Sequence, residues 1–265
     1  MLELHNVKKT FNKGTINEKK ALQGLELTLQ SEDFVTIIGG NGAGKSTMLN
    51  MIAGVYPIDE GKIILDGTDI SRKPEYARAK YLGRVFQDPI ERYCQPAWRS
   101  RKIWHLHIAA AEKRGLKWAI GKDEQVFYKE QLKALDLGLE ERMTSKVGLL
   151  SGGQRQALTL LMASLQKPQL LLLDEHTAAL DPKTAAKVLA LTEKIIAEHH
   201  LTAMMVTHNM KDAIRLGNRL IMMHEGRIIY DVAGEEKKNL QVSDLLAKFE
   251  QASGGEFAND RMMLA

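Results

Sequence analysis

The feature that most constrains this chain is a glycine-rich loop between an apolar run and a stretch with helical spacing. Residues 34–38 are nearly all β-branched or apolar, which is typical of a strand buried on both faces. The loop Gly39–Gly44 follows, and residues 45–53 keep helical spacing until Gly54. A buried strand, a glycine loop and a helix in this order predict a parallel α/β sheet.

The loop also fits the phosphate-binding pattern of two glycines separated by four residues and followed by Lys and Ser. Glycines let backbone N–H groups close around phosphates, and the helix N-terminus adds partial positive charge. Lys45 is predicted to reach the β- and γ-phosphates, and Ser46 to hold Mg²⁺. A chance glycine turn is the alternative, and the flanking strand and helix argue against it. The predicted phosphate-binding residues are Gly39, Gly40, Asn41, Gly42, Ala43, Gly44, Lys45, Ser46 and Thr47.

A second buried strand ends in two carboxylates. Four leucines, residues 170–173, precede Asp174 and Glu175. Asp174 is predicted to bind Mg²⁺, directly or through water, and Glu175 to orient the attacking water or accept its proton. Alone, such a pair is more often a strand-end cap. Together with a phosphate loop in the same chain, it indicates hydrolysis of a nucleotide.

Kinases, GTPases and many ATPases share a phosphate loop, so a further motif is needed to choose among them. Leu150-Ser-Gly-Gly-Gln154 offers a second set of phosphate donors at the start of a predicted helix. One nucleotide rarely needs two such sets from one chain. The motif therefore indicates a site shared by two copies.

With these motifs in this order, the chain resembles the ATPases of ABC transporters over nearly its whole length. Further matches are Gln87 in Val-Phe-Gln-Asp-Pro89, Ala179-Leu-Asp181 and Val206-Thr-His208. The resemblance implies an Mg²⁺-dependent ATPase that works as a homodimer. Each of two ATP molecules would lie between the phosphate loop of one chain and the Ser-Gly-Gly motif of the other.

The resemblance also implies roles for individual residues. Ser151, Gly152, Gly153 and Gln154 would bind ATP in trans, with Ser151 and Gly153 on the γ-phosphate. His208 would hold the γ-phosphate, and Gln87 would link the metal and the water to the transmembrane partner. Asp181 would bridge the two halves of the dimer. The implied catalytic residues are Glu175, His208 and Gln87, and the implied metal ligands are Ser46, Gln87 and Asp174.

Two aromatic residues have competing interpretations. Phe11 matches the place where the family stacks an aromatic ring on adenine, although a lone strand aromatic is more often core. His176 follows Glu175 where relatives commonly carry proline, and no catalytic role is assigned to it.

The predicted fold class is α/β. It is a P-loop NTPase core, with a mixed sheet flanked by helices, an antiparallel β subdomain and an inserted helical subdomain. Residues 2–11 and 22–29 alternate between apolar and polar, as antiparallel strands with one covered face do. We expect an ATPase domain at 1–235, its helical subdomain at about 90–150, and a C-terminal extension at 236–265.

Composition excludes several classes of protein. A net charge of +4 is a mild basic excess rather than the patch of a nucleic-acid binder, so no nucleic-acid partner is expected. The single cysteine, Cys94, excludes an intramolecular disulfide framework. Neither a signal peptide nor a membrane span is apparent, which predicts a peripheral protein at the cytoplasmic face of the cell membrane.

The amino-acid sequences of residues 175–182 and 222–226 resemble those of importer ATPases. These ATPases work with a binding protein and with a permease like those for branched-chain amino acids. This implies import of a small solute such as an amino acid. The partners would be permease subunits and an extracytoplasmic binding protein. Alternatives are a soluble ABC protein of translation or DNA repair, and a regulatory or defective cassette.

Residues 92–107 have an unusual composition, with the only cysteine and two of the three tryptophans. Family members usually carry a stretch close to Met-Thr-Ile-Glu-Glu-Asn-Leu-Ala here. When residues 97–106 are reverse-translated and each codon boundary is moved back by one nucleotide, ordinary codon choices permit a sequence closely similar to that family stretch. A compensated frameshift over about 92–108 is therefore one hypothesis, beside a basic-aromatic nucleic-acid patch and ordinary divergence. A frameshifted copy would bind ATP yet couple poorly to its permease.

Resequencing the locus tests the frameshift hypothesis. We expect either an insertion and a compensating deletion in the gene on the two sides of residues 97–106, or a DNA sequence that differs from the present one and restores the frame. A continuous frame at this locus, together with close relatives that encode Trp98 and Trp104, would contradict it.

Overall fold

The computed structural model of this chain describes residues 1–86 and 122–253. Within them, the first unit comprises residues 1–82, 169–175 and 200–253, and the second unit comprises residues 83–86, 122–168 and 176–199. None of the helices in these ranges is long and apolar enough to cross a bilayer. Gln87 and the unusual stretch at about 92–108 lie outside the described residues. The domain boundaries expected from the sequence stay predictions.

In chain order, the described strands and helices are β1 (Leu2–Phe11), β2 (Lys19–Leu29), β3 (Phe34–Gly39), α1 (Lys45–Ala53), β4 (Glu60–Leu65), β5 (Thr68–Asp69), α2 (Glu75–Arg78), β6 (Leu82–Val85), α3 (Lys122–Lys133), α4 (Gly152–Leu165), β7 (Leu170–Asp174), α5 (Pro182–Glu198), β8 (Ala203–Val206), α6 (Met210–Arg215), β9 (Arg219–His224), β10 (Arg227–Ala233), α7 (Gly234–Lys238) and α8 (Val242–Ser253). Short 3-10 turns lie at Leu139–Glu141 and Val147–Leu149.

An antiparallel sheet with strand order β2-β1-β4-β5 forms part of the first unit. Its strands bury alternate residues, among them Leu2 and Leu4, as the sequence pattern predicts. The second strand begins at Lys19, three residues before the predicted start at Leu22. Lys19 and Lys20 are both exposed, so the apolar alternation does not extend to them.

The other sheet of the first unit places β10, β9, β3, β8 and β7 side by side in that order. β9, β3, β8 and β7 are parallel, and β10 pairs antiparallel with β9. All six residues of β3 are buried, which explains the unbroken apolar run in the sequence. This mixed sheet with helices and a separate antiparallel sheet confirms the predicted fold class.

The sheet register brings the ends of three strands to one edge. Val206 of β8 pairs with Ile37 of β3 on one side and with Asp174 of β7 on the other. The residues that follow these positions therefore leave the sheet together at its carboxyl edge, where open α/β sheets bind ligands.

The helix after the glycine loop is held at its far end by a buried arginine of α2. The side chain of Arg78 is only 1% exposed, and it donates to the Met51 and Ile52 carbonyls at 2.7 and 2.9 Å. Carbonyls in the last turn of a helix lack the usual partner four residues further along the helix. Arg78 also donates to the carbonyls of Ser71 and Lys73. A single guanidinium thus joins the end of α1 to the turn before α2.

The second unit is mainly helical in its described part. α4 packs against α5, and Gly153 allows close approach, because a Cβ there would lie 2.2 Å from Thr184 Cγ2. The charged, mainly helical pattern of residues 122–137 predicts a helix there, but α3 ends at Lys133. The chain turns at Asp136 and Gly138, which have φ of 52° and 64° and so cannot continue a right-handed helix.

The C-terminal helices pack on the strands of the first unit, to which they belong. Leu245 and Phe249 of α8 are buried beside Met222 of β9 and Val232 of β10. The sequence of residues 242–249 predicts an amphipathic stretch; it is helical, and its helix continues to Ser253.

Replacing the buried arginine tests its contribution to the fold. Arg78→Met should lower the free energy of unfolding by about 2–4 kcal/mol, because several buried carbonyls lose a charged donor. Urea unfolding followed by circular dichroism measures this. The exposed Arg72→Met is the matched control, with an expected change of about 0.5 kcal/mol or less. Equal stability of the two variants would contradict the assignment.

Candidate nucleotide-binding and hydrolysis site

A cavity of about 300 Å³ opens at the carboxyl edge of the parallel strands in the first unit. Its size is at the lower end of the range typical of small-molecule sites. It is lined by Phe11, Lys19, Ala21, Asn41, Gly42, Ala43, Gly44, Lys45, Ser46, Thr47, Glu175 and His208. The structure therefore brings most of the predicted phosphate loop together with Phe11, Glu175 and His208.

The glycine loop is tightly packed against neighbouring backbone. Gly39 has φ of 152°, and a Cβ there would lie 2.2 Å from the Met223 carbonyl oxygen. Gly44 has φ of 101° and would bring a Cβ within 2.6 Å of the Ala21 oxygen. Both positions therefore require glycine for steric reasons.

Lys45 is buried, and its ammonium lies inside the curve of the loop. Its Nζ donates to the carbonyl oxygens of Gly39 and Gly40 at 2.8 and 3.0 Å. Gly39 and Gly40 thus hold the lysine, while residues 41–47 line the cavity. A buried cation beside backbone N–H groups at a helix N-terminus creates a site for an anion.

Ser46 and Asp174 meet although they come from distant parts of the sequence. Ser46 Oγ donates to Asp174 Oδ1 at 3.1 Å. A hydroxyl and a carboxylate oxygen side by side are the donor set that Mg²⁺ prefers. The pair fits the predicted metal position. Gln87, the third predicted ligand, lies outside the described residues.

Glu175 and His208 form a close pair at the cavity wall. His208 Nε2 lies 2.6 Å from Glu175 Oε1. The hydrogen bond from His208 holds the pKa of the Glu175 carboxyl below its usual value, partial burial opposes this, and the charges of His208 and Lys45 add to the lowering. Glu175 is therefore ionised at neutral pH, as an acceptor of a proton from water must be.

The backbone of Glu175 is unusual for a residue with a side chain. Its φ of 48° lies in the left-handed region, and its N–H donates to the Val206 carbonyl at 3.1 Å. This geometry turns the chain immediately after β7 and keeps the carboxylate at the sheet edge.

Phe11 lines the cavity and packs edge-on against Tyr56, with ring centroids 5.3 Å apart. The ring is partly exposed rather than fully buried. A base stacked on Phe11 would gain from both aromatic and apolar contact.

The predicted residues of the second unit are not among those that line this cavity. Ser151 caps α4, since its Oγ accepts from the Gln154 N–H at 3.3 Å and Gln154 Oε1 accepts from the Ser151 N–H at 3.0 Å. Asp181 caps α5 by accepting from the Thr184 N–H at 3.0 Å, and hydrogen bonds from the Thr184 side chain and backbone lower its pKa. Their roles toward ATP stay predictions.

His176 is a core residue with a complete local explanation. It is 1% exposed, and its Nε2 lies 3.1 Å from Thr192 Oγ1, which donates to the Val188 carbonyl. Burial lowers its pKa to about 4, so the ring is neutral at physiological pH. This accounts for a histidine that the sequence left without a role.

Two cavity residues, Lys19 and Ala21, were not predicted from the sequence. They belong to β2, whose pairing with β1 contains several register shifts. The sequence gives no signal for where those shifts fall, so it cannot assign these residues to the cavity.

The pKa of Glu175 depends on His208 in a testable way. His208→Gln removes the imidazole that lowers this pKa and leaves the burial that raises it, so the pKa should rise. Because folding depresses this pKa, the carboxylate stabilises the wild-type fold above its unfolded pKa, and that contribution is lost as the pH falls through the folded value. A ¹³C NMR titration of the carboxyl carbon measures the pKa of Glu175 in the wild type and in His208→Gln, and Glu175→Gln assigns the signal. An unchanged or lower pKa would contradict the pairing.

Comparison with known proteins gives consistent matches. The model of the family described as ABC transporter matches residues 22–178. The tyrosine transport ATP-binding protein of Clostridioides difficile (strain R20291) is 42% identical over 252 residues, covering 95% of this chain and 100% of that protein. A methionine import ATP-binding protein of Enterococcus faecalis (strain ATCC 700802 / V583) is 34% identical over 86% of this chain. The chain spans only 64% of the length of that second relative.

Solved structures agree with this. A dimeric ATP-binding cassette in a post-hydrolysis state, bound to ADP and Pi, has a TM-score of 0.76 and 29% identity, covering 88% of this chain and 98% of that one. The ADP conformation of a cassette of an ABC transporter has a TM-score of 0.76 and 27% identity, covering 97% and 99%. The chain therefore belongs to the ABC transporter family and is an ATP-binding, ATP-hydrolysing subunit of such a transporter.

Proposed function

We propose that the chain hydrolyses ATP in a site completed by a second copy and thereby drives import of a small solute such as an amino acid. The observation that carries the proposal is the Glu175–His208 pair, 2.6 Å apart on the wall of a cavity formed by a phosphate loop. The direction and substrate class rest on the relatives named for tyrosine transport and methionine import.

One half of the site binds the nucleotide. The base would stack on Phe11, and the phosphates would be held by the loop N–H groups and the Lys45 ammonium. Lys45 would then exchange its bonds to the loop carbonyls for bonds to phosphate oxygens. Such preorganised donors stabilise the charge that develops as the terminal phosphate is transferred to water.

Ser46 and Asp174 would hold Mg²⁺ in this half, with Gln87 as the third ligand. When bound, Mg²⁺ would neutralise charge on the phosphates. Gln87 would also respond to the transmembrane partner.

The Glu175 carboxylate is suited to orient the attacking water because it is ionised and partly buried. His208 pairs with this carboxylate at the cavity wall. His208 would also hold the γ-phosphate of ATP, which would place the terminal phosphate close to the group that orients the water.

The other half comes from the second copy. The N-terminus of α4, a helix of 14 residues, presents the N–H groups of Gly152 and Gly153 together with the Ser151 hydroxyl. Ser151 and Gln154 are held by their reciprocal capping bonds, which orient this end of the helix. Asp181 would link the two copies across the interface.

The transporter context supplies the remaining partners. We propose two permease subunits that span the membrane and an extracytoplasmic binding protein that delivers the solute. The chain would lie peripherally at the cytoplasmic face, bound through the permease. Residues 175–182 and 222–226 resemble importer ATPases, which supports a permease related to those for branched-chain amino acids.

Glu175→Gln tests the composite site. We expect turnover to fall by about 10²-fold or more, because the group that orients water is lost while ATP binding is kept. Light scattering should show an ATP-dependent dimer of the variant. Glu198→Gln, in the exposed part of α5, is the control and should hydrolyse ATP as the wild type does. A Glu175→Gln variant that turns over normally, or stays monomeric with ATP, would contradict the mechanism.

A further inference from the structure

We propose that Lys19 is a further nucleotide-binding residue, whose ammonium holds the phosphate nearest the ribose. This inference rests on the proposed function, since it assumes that the base stacks on Phe11. Lys19 belongs to none of the motifs found in the sequence, and its position follows from strand register alone.

The first observation is that Lys19 lies directly opposite Phe11. The two residues are Cα partners in the antiparallel pairing of β1 with β2. Directly opposed residues of an antiparallel pair point their side chains to the same face of the sheet. Lys19 and Phe11 accordingly both line the cavity.

The second observation is that the lysine reaches the phosphate loop. Its Nζ lies 3.1 Å from the position that a Cβ on Gly42 would occupy. Gly42 is a loop residue with φ of 77°, and it also lines the cavity. The ammonium therefore lies over loop backbone whose N–H groups are expected to surround phosphates.

The third observation concerns the partners of the ammonium. Among residues 1–86 and 122–253, no hydrogen bond or ion pair engages the Lys19 ammonium, and the residue is exposed. Lys45 differs, because it is buried and donates to two loop carbonyls. A cation at the cavity without a carboxylate beside it can be neutralised by an anionic ligand.

The position along the nucleotide follows from the proposed function. In it, Phe11 holds the base, and Lys45, Glu175 and His208 surround the terminal phosphate; all four residues line the cavity. Since Lys19 is opposite Phe11, its ammonium is assigned to the ribose-proximal phosphate. ATP and ADP share that phosphate, so the contact should contribute equally to the affinity for each nucleotide.

Isothermal titration calorimetry of the full chain with ATP and with ADP tests this. Lys19→Gln should lower the affinity for both nucleotides by about fivefold, which is the scale of an exposed ion pair. The loss should shrink at high salt because exposed charges are screened. Lys19→Arg should restore the affinity. In turnover, Lys19→Gln should raise KM and leave kcat unchanged, which a general loss of structure would not do.

Lys20→Gln is the matched control. Lys20 is the exposed neighbour on the same strand, points to the opposite face and does not line the cavity. It should bind both nucleotides as the wild type does. An unchanged affinity in Lys19→Gln, or equal losses in both lysine variants, would overturn the proposal. A loss confined to ATP would overturn the assignment to the ribose-proximal phosphate.

Lys45→Ala separates this inference from the proposed function. If Lys45→Ala abolishes ATP binding while Lys19→Gln has no effect, the phosphate-loop site stands and only the role of Lys19 is wrong. If Lys45→Ala binds ATP normally, the proposed site itself is wrong.

Discussion

Parallel pairing of β3, β8 and β7 is the constraint on which the rest of the site depends. The register through Val206 aligns Ile37 with Asp174, so the phosphate loop, the two carboxylates and His208 all leave the sheet at one edge. Residues separated by more than a hundred positions then meet, as Ser46 and Asp174 do. A single loop could not hold a phosphate loop, two carboxylates and a histidine in fixed geometry, because it lacks the backbone hydrogen bonds that join the strands of a sheet.

Several motif residues have a structural task that is separate from ligand binding. Ser151 and Gln154 complete a capping box, Asp181 caps α5, and Gly153 lets α4 approach α5 closely. These interactions hold the side chains in place, and such preorganisation reduces the entropy lost on binding. If these residues bind ATP as proposed, a substitution at them would alter stability and ligand binding together.

The sequence predicted the fold class, and it predicted the glycine loop and the carboxylates at strand ends, because these depend on local patterns. The unbroken apolar run of β3 and the glycine loop are readable without tertiary contacts, and so are the four leucines before Asp174. The start of β2 and the end of α3 were misplaced. Exposed lysines carry no periodic signal, and the left-handed turn at Asp136 has no strict sequence requirement.

The sequence by itself determined the chemistry of this protein, since residue types at fixed spacing specify a phosphate cradle and a carboxylate at a strand end. Tertiary structure alone decided which distant side chains meet. It paired His208 with Glu175, enclosed His176 against Thr192 and brought Lys19 to the cavity. For His208 and Glu175 the physical reason is the alignment of strand ends, and for His176 it is packing against a helix. For Lys19 it is register, because a shift by one residue reverses the face to which each side chain of a strand points, and β1 and β2 contain several such shifts.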